Sequence, residues 1–213
     1  MRSLEAVEPA DVAAFAHGMT VATNALLERR GARTALVTTE GFRDLIELAR
    51  QDRPALYDLA ERRPEPLVPR DLRFTVRERM GPDGEVEALD DDSVGEAIER
   101  LREADVDAVA VCLLFAFLHP EHERRVGDAV REALGDVHVS LSSEVLPEFR
   151  EYERFSTTVA VAYLAPKLAA YLERLAASAE EAGVPAPLVM QSSGGVLDAV
   201  SYTHLTLPTT PYV

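Results

Sequence analysis

Three polar residues near the amino terminus, Thr20, Thr23 and Asn24, could bind the phosphate groups of a nucleotide. The segment HGMTVATNALLERRG places them where a loop turns into a helix, and hydroxyls and free backbone N–H groups at such a transition can donate hydrogen bonds to anions. The alternative is that Thr20 or Thr23 is only the N-cap residue of the helix. The spacing alone favours capping, and it likewise favours a structural role for His17.

A second candidate is the segment MQSSGG, which follows an apolar stretch typical of a strand. Ser192, Ser193, Gly194 and Gly195 form a donor-rich loop whose backbone can approach a phosphate or a base closely. The segment matches neither the G-x-G-x-x-G pattern nor the P-loop pattern. Taken alone, it does not identify a nucleotide site.

Two further segments place polar residues at the ends of predicted elements. VTTEGF, with Thr38 to Gly41, follows an apolar strand, and ligands gather at such positions in open α/β sheets. An ordinary turn capped by Thr39 or Glu40 explains this segment equally well. REYERFSTT, residues 150–158, combines charged residues with Ser and Thr at a helix start. Such a segment could bind a ligand or form a solvent-exposed ion-pair face, and its alternation of charges favours the exposed face.

Metal and thiol chemistry are not indicated. HPEHE, residues 119–123, does not match the H-E-x-x-H pattern of zinc enzymes, so no metal site is predicted. Cys112 is the single cysteine, which excludes a disulfide within the chain, and its apolar surroundings indicate a buried inert thiol. Because no Ser-His-Asp order or pair of catalytic carboxylates is evident, the catalytic residues stay unknown.

The composition bounds the possible partners. The 213 residues are 47% hydrophobic and 28% charged, with a net charge of −15. This length allows one large domain or two small ones. The acidic balance argues against nucleic acid or an anionic membrane as a partner, since both require a basic face. No apolar segment is long enough to span a bilayer and no signal sequence is evident, which predicts a cytoplasmic protein.

Helices and strands alternate along the chain, and this order predicts an α/β fold. Pro166 predicts a kink or break in the last helix. Helices are predicted in PADVAAFAHG, TVATNALLERRG, RDLIELARQ, DDSVGEAIERLREAD, PEHERRVGDAVREAL and FSTTVAVAYLAPKLAAYLERLAASAEEAG, strands in RTALVTTEGF, VDAVAVCLLFAF, VHVSLSS and PLVMQSSGG, and a β-hairpin in RFTVRERMGPDGEVEALD.

Taken together, these segments indicate a protein family more specifically than any of them does alone. HGMTVATNALLERRGARTALVTTEGFRDLIELARQDRPALYDL resembles the amino-terminal region of the hydantoinase A / 5-oxoprolinase family. LPEFREYERFSTTVAVAYLAPKLAAYLERL and VMQSSGGV resemble later segments of the same region, in the same order. The resemblance therefore extends to Asp198.

The resemblance implies an ATPase fold of the ribonuclease-H-like or actin-like kind. The chain would form an incomplete first lobe, a mixed sheet with flanking helices and a β-hairpin. In the parent enzyme ATP and Mg²⁺ would bind between two lobes, with Thr20, Thr23, Asn24 and residues 192–195 as nucleotide contacts. The implied assembly partner is a B-type hydantoinase subunit or a fused domain.

The resemblance also implies an activity. The family opens cyclic amides such as 5-oxoproline or N-methylhydantoin with ATP hydrolysis, by phosphoryl transfer to an amide or carboxylate oxygen. One alternative is a subunit of an ATP-dependent acetone or acetophenone carboxylase. Another is a non-enzymatic nucleotide-gated module similar to actin or Hsp70.

The chain departs from the family pattern in several places. Family members begin with a strand and an Asp-x-Gly-Gly-Thr phosphate turn, whereas this chain starts at MRSLEAVEPAD, and a second phosphate turn beyond QSSGGV is also missing. We therefore expect no ATPase activity and an unpaired sheet edge beside RTALVTT. Met19 stands where the family usually has Thr and Val161 where Asn is common; Met19 removes a hydroxyl from the polar turn.

The domain organisation follows from the same resemblance. Residues 1–185 are expected to form the amino-terminal domain and residues 186–198 to begin the core domain. VSYTHLTLPTT, in the tail, back-translates into a transposase-type sequencing adapter, so residues 199–213 are expected to be a disordered library artefact. A genuine disordered tail is the alternative.

Overall fold

The computed structural model describes residues 8–190 and 195–198, apart from residues 53, 54, 56, 59 and 62. The described residues form two compact units. The larger unit is Ala32–Tyr163, and the smaller unit combines the residues up to Gly31 with those from Leu164 onward. The predicted tail 199–213 lies outside the described residues. The predicted domain boundary at residue 185 stays a prediction.

Strands and helices are numbered along the chain. The strands are β1 (Phe15–His17), β2 (Thr34–Thr39), β3 (Arg73–Val76), β4 (Arg79–Gly81), β5 (Gly84–Glu87), β6 (Ala108–Cys112), β7 (His138–Leu141), β8 (Pro187–Met190) and β9 (Val196–Asp198). The α-helices are α1 (Val21–Leu27), α2 (Leu45–Leu48), α3 (Asp91–Ala104), α4 (Glu121–Leu134), α5 (Ser142–Val145) and α6 (Glu151–Glu181). Short 3-10 helices lie at Pro9–Asp11 and Arg70–Leu72.

The larger unit is built on a parallel four-stranded sheet in the order β3-β2-β6-β7. Every residue of β2 and β6 is buried, as expected of parallel strands that are covered on both faces. Helices α3 and α4 bury one face each, including Leu101 and Val126. Cys112 is fully buried at the end of β6, which confirms the predicted burial of this thiol.

The expected unpaired edge beside RTALVTT is wrong. Strand β2 is paired on both sides, because Val37 lies opposite Phe74 of β3 and opposite Val111 of β6. The segment RFTV supplies this β3 strand instead of an arm of the predicted hairpin. The hairpin itself is confirmed in a shorter form, with β4 and β5 antiparallel. Gly84 has φ 121°, a backbone conformation that favours glycine.

The smaller unit contains a three-stranded sheet in the order β1-β8-β9. Strand β1 runs parallel to β8 and β9 runs antiparallel to it. The helix predicted over PADVAAFAHG is wrong beyond Asp11, because Phe15–His17 pairs with Pro187–Val189 as a strand. Here pairing with a distant segment overrides the local preference of an alanine-rich sequence for a helix.

Helix α6 continues through Pro166, so the predicted break at this residue is wrong. Proline removes one backbone hydrogen bond from a helix, and burial of apolar side chains on both sides of it can offset that loss. Phe155 and Val159 are buried in the core of the larger unit, and Leu168 and Leu172 in that of the smaller unit. No helix in the described ranges has the length and apolar character needed to cross a bilayer.

Candidate functional site

The smaller unit brings Thr20 and Gly195, one described residue from each of two predicted site segments, to one edge of its sheet. In the parallel pair β1–β8, His17 lies opposite Val189, so both strands end at the same edge. Thr20 follows β1 by three residues. Gly195 directly precedes β9, whose Val196 lies opposite Met190 at the end of β8. Thr20 and Gly195 therefore both lie beyond the carboxyl ends of neighbouring parallel strands.

The three polar residues of the first segment are solvent-exposed. Thr20 immediately precedes α1, and Thr23 and Asn24 lie in its first turn. Thr20 occupies the N-cap position of α1, as the capping alternative predicted, but its side chain makes no capping hydrogen bond to the helix backbone. Its hydroxyl instead accepts a 3.4 Å hydrogen bond from Asn24 Nδ2. Exposed hydroxyl and amide groups of this kind are accessible to a ligand.

The second segment is described only in part. Gly195 is exposed, whereas Ser192, Ser193 and Gly194 lie outside the described residues. The position of Gly195 at the carboxyl end of β8 agrees with the predicted turn that follows a strand. Ligands of open α/β sheets collect at such ends.

His17 is held in place at this edge. Its Nε2 atom lies 2.7 Å from the Tyr171 hydroxyl, and the two rings are 5.9 Å apart between centroids. The contact joins the end of β1 to α6 within the smaller unit. This supports the structural role that the sequence favoured for His17.

The end of β2 contains a predicted site residue, Thr39, whose side chain bonds within the protein. Thr39 is fully buried, and its hydroxyl donates to Glu78 Oε1 and accepts a 3.1 Å hydrogen bond from the Leu114 backbone N–H. Neither Thr39 nor Glu40 caps a helix, because Asp44 occupies the N-cap position of α2. Of the predicted ligand position at residues 38–41, Thr39 is therefore used for internal bonding, whereas Glu40 and Gly41 are exposed.

Glu78 continues this hydrogen-bonded chain to His122. The buried imidazole lies between two carboxylates, with Nδ1 3.0 Å from Glu78 Oε2 and Nε2 2.8 Å from Glu85 Oε2. In its protonated form it donates to both of them. His119 instead contacts the Pro82 carbonyl at 3.3 Å. Among the described residues no group of three or more His, Cys, Asp or Glu side chains could hold a metal ion.

A second buried cluster consists of Glu123, Ser142 and Arg154. Glu123 Oε2 accepts hydrogen bonds from the Leu113 N–H at 2.9 Å and from Ser142 Oγ at 2.6 Å, and its Oε1 accepts from the Ser143 N–H at 2.7 Å. Arg154 Nε donates to Ser142 Oγ at 3.2 Å. Burial raises the pKa of the Glu123 carboxyl above its ordinary value, and the hydrogen bonds that it accepts oppose this rise.

The solvent-exposed ion-pair face predicted for residues 150–158 is wrong for Arg154. Its side chain is fully buried and donates to the Leu113 carbonyl at 2.9 Å and the Glu148 carbonyl at 3.0 Å. The sequence carried a signal that could have shown this. Arg154 and Thr158 flank Phe155 and Val159 at helical spacing, so all four residues lie on the buried face of α6.

The comparisons with known proteins decide the family. Residues 2–134 match the family model described as the hydantoinase/oxoprolinase N-terminal region. The chain belongs to the hydantoinase/oxoprolinase family. It is 40% identical over 188 residues to caprolactamase subunit alpha of Pseudomonas jessenii, covering 86% of this chain and 27% of the relative. It is 33% identical over 214 residues to 5-oxoprolinase of Saccharomyces cerevisiae, covering 88% of this chain and 17% of the relative.

Solved structures agree with this family assignment. The structure of the ATP-dependent caprolactamase from Pseudomonas jessenii matches with a TM-score of 0.79 at 39% identity, over 86% of this chain and 27% of that one. The nucleotide-free structure of acetone carboxylase matches with a TM-score of 0.77 at 27% identity, over 91% of this chain and 29% of that one. The chain thus spans between about a sixth and under a third of the length of these relatives.

Met19 and Val161, which stand where the family usually has Thr and Asn, both pack as apolar side chains in the structure. Met19 is partly buried and packs against the cluster of Leu168, Leu172 and Val189. Val161 is buried as well. Because the Met19 side chain contributes to the core, the candidate ligand groups near it are those of Thr20, Thr23 and Asn24.

Proposed function

We propose that this chain is the amino-terminal part of an ATP-dependent enzyme that opens a cyclic amide of the hydantoin or 5-oxoproline type. The observation that carries the proposal is the parallel pairing of β1 with β8, which sets Thr20 and Gly195 at one sheet edge. The names of the relatives, a caprolactamase and a 5-oxoprolinase, support the cyclic amide as the substrate class.

The proposed nucleotide contacts are Thr20, Thr23, Asn24 and residues 192–195. The Thr20 and Thr23 hydroxyls and the Asn24 amide are exposed and can donate hydrogen bonds to phosphate oxygens. At Gly195 the absence of a side chain allows close approach of the backbone. ATP would supply the phosphoryl group that activates the amide, with Mg²⁺ offsetting phosphate charge. Holding the phosphates is the role that these residues can perform.

Several finer features belong to the same proposal. The fold is of the actin-like ATPase kind, N-methylhydantoin is one possible substrate, the enzyme is cytoplasmic, and a B-type subunit or a fused domain completes it. The name of caprolactamase subunit alpha, which indicates an enzyme of more than one subunit, supports the last point.

A subunit of an ATP-dependent carboxylase is the second candidate. The match to acetone carboxylase over 91% of this chain favours it. The two candidates differ in their co-substrate: a cyclic amidohydrolase releases ADP when given ATP and a cyclic amide, whereas a carboxylase also requires bicarbonate. Measurement of ADP release with and without bicarbonate separates them.

The experiment is steady-state kinetics on the complete enzyme that contains this chain. Thr20→Ala and Asn24→Ala are expected to raise the KM for ATP by roughly five- to tenfold, because each removes a group that hydrogen-bonds phosphate. Ser178→Ala removes an exposed hydroxyl from α6 and is the matched control. An unchanged KM for ATP in both site variants would contradict the assignment of these residues.

A further inference from the structure

The larger unit contains a cavity that the proposed nucleotide site does not use. Its volume is about 520 Å³, within the range typical of small-molecule sites. Three segments form its walls: α2 with Ile46, residues 63–67 with Leu67, and the start of α6 with Val159. The apolar side chains on these walls give the cavity a surface suited to an uncharged organic ring.

One face of α6 supplies hydroxyl groups to this cavity. Tyr152, Ser156 and Val159 all line it and are spaced at helical intervals along one face. Ser156 Oγ donates to the Glu153 carbonyl at 3.1 Å, which leaves its lone pairs as acceptors. Within the described part of the chain the Tyr152 hydroxyl has no hydrogen-bond partner, so it can donate to a ligand. The cavity thus offers a donor and an acceptor.

The walls of the cavity are held by polar contacts. Arg63 donates to the Leu48 carbonyl at 3.1 Å and thereby joins the 63–67 segment to the end of α2. Arg50 donates to Glu153 Oε1 at 2.6 Å, which joins the segment that follows α2 to α6. Ala49, which lines the cavity, has φ 50°. Non-glycine residues rarely adopt such a conformation, and it recurs at ligand sites where the surrounding structure enforces it.

Charge argues against a polyphosphate in this cavity. The charged side chains of the lining are two carboxylates, Glu47 and Glu65, and one guanidinium, Arg63. Glu47 is already paired with the buried Arg73 at 2.9 Å. A lining with this balance disfavours an anion and accepts a neutral molecule.

We infer that this cavity binds an uncharged cyclic amide, a hydantoin or a simple lactam, which on the proposed function is the substrate; the ionised carboxylate of 5-oxoproline makes that molecule a poorer fit to this lining. In a small lactam ring the planar amide is held cis, so its C=O and N–H lie along one edge. Tyr152 donates to the carbonyl, Ser156 accepts from the N–H, and Ile46, Leu67 and Val159 contact the ring. This assignment names the substrate class and rests on the proposed function, but it uses residues separate from the nucleotide contacts.

The direct test is a titration of the 213-residue chain with ε-caprolactam, followed by saturation-transfer NMR. Tyr152→Phe is expected to weaken binding roughly three- to tenfold, and Ser156→Leu, which removes the acceptor and occupies part of the cavity, to weaken it further. Tyr57→Phe is the matched control, since Tyr57 is 98% exposed and outside the lining. N-Methylcaprolactam, which lacks the N–H, should bind more weakly than ε-caprolactam. Equal affinity of Ser156→Leu and the unmodified chain, or of the two lactams, would overturn the inference.

Kinetics of the complete enzyme separate this inference from the proposed function. Tyr152→Phe is expected to raise the KM for the lactam and leave the KM for ATP unchanged, a split that a merely structural role would not produce. If lactam-dependent ADP release persists and Tyr152→Phe leaves the lactam KM unaltered, the cavity assignment fails while the function stands. If no lactam supports ADP release but ε-caprolactam binds the chain in a Ser156-dependent manner, the function fails while the cavity assignment stands.

Discussion

Glu123 and Ser142 form a 2.6 Å hydrogen bond between a buried carboxylate and a buried hydroxyl, although 19 positions separate them in the chain. Ser142 also accepts from Arg154 and so connects the carboxylate to the guanidinium. The three residues lie on α4, α5 and α6. This cluster therefore joins three helices beyond the ends of β6 and β7.

Glu123→Ala is expected to destabilise the larger unit by about 3 kcal/mol, because two buried donors and one partly buried donor lose their acceptor. These donors are the Leu113 N–H, the Ser142 hydroxyl and the Ser143 N–H. Urea denaturation measures the change in the free energy of unfolding. Glu99→Ala, which removes an exposed carboxylate that pairs with Arg102 on the surface, is the control and should change stability little. Equal stability of the two variants would contradict the structural role of Glu123.

The raised pKa of Glu123 also gives stability a pH dependence. The folded protein binds this proton more tightly than the unfolded chain does, so the resulting stabilisation is full below the ordinary pKa of 4.5 and is lost as the pH rises through the folded pKa. Glu123→Gln cannot titrate. The free energy of unfolding of the wild type minus that of Glu123→Gln should therefore fall as the pH rises above 4.5. A difference that stays constant with pH would exclude the raised pKa.

Much of the larger unit could be predicted from local sequence. The apolar runs of β2 and β6 and the amphipathic pattern of α4 identify these elements directly, because burial on two faces produces a continuous apolar run and burial on one face produces a periodic pattern. The strand β1 shows no such pattern, because it is three residues long and pairs with residues about 170 positions later.

The candidate site, too, could be predicted only in part from local sequence. Thr20 and Gly195 were predicted as separate segments, and the pairing of β1 with β8 places them at one edge. The Glu123 cluster was missed because its charged residues are satisfied by partners distant in sequence, and a local pattern of charges resembles a solvated surface. The cavity was missed for the same reason, since its three walls come from separated segments.

Two glycines in helices provide a matched test of packing. A Cβ atom on Gly127 would lie 2.5 Å from Leu141 Cδ2, whereas one on Gly95 would meet nothing within 4 Å. Gly95→Ala should stabilise the protein by up to about 1 kcal/mol through its higher helix propensity. Gly127→Ala should destabilise it by about 1 kcal/mol, because crowding of the buried Leu141 outweighs the same gain.

Chemical denaturation of both variants measures this difference in the free energy of unfolding. Adding Gly127→Ala to a Leu141→Ala background removes the steric conflict, so the substitution should become neutral or stabilising there. If Gly127→Ala and Gly95→Ala stabilise the wild type equally, the close packing of α4 against β7 is wrong.

His138 gives stability a pH dependence of the opposite sign to that of Glu123. Burial lowers the pKa of its imidazole below the ordinary 6.5, and the positive charge of Arg131 lowers it further. Because the folded protein binds this proton less tightly than the unfolded chain, the stabilisation is full above pH 6.5 and is lost as the pH falls through the folded pKa. The free energy of unfolding of the wild type minus that of His138→Gln should therefore fall as the pH is lowered below 6.5.

An NMR titration of the His138 ring protons tests the cause directly. Arg131→Gln removes the nearby charge and should raise the pKa of His138 without restoring its ordinary value, since burial is the larger cause. Arg124→Gln removes an exposed arginine from the same helix and should leave this pKa unchanged. A His138 pKa at or above 6.5 in the wild type would contradict the burial of the ring, and an equal shift in both variants would show that Arg131 has no specific effect. The two arginine variants therefore separate the local electrostatic effect from the overall charge of the protein, because each changes the net charge by the same amount.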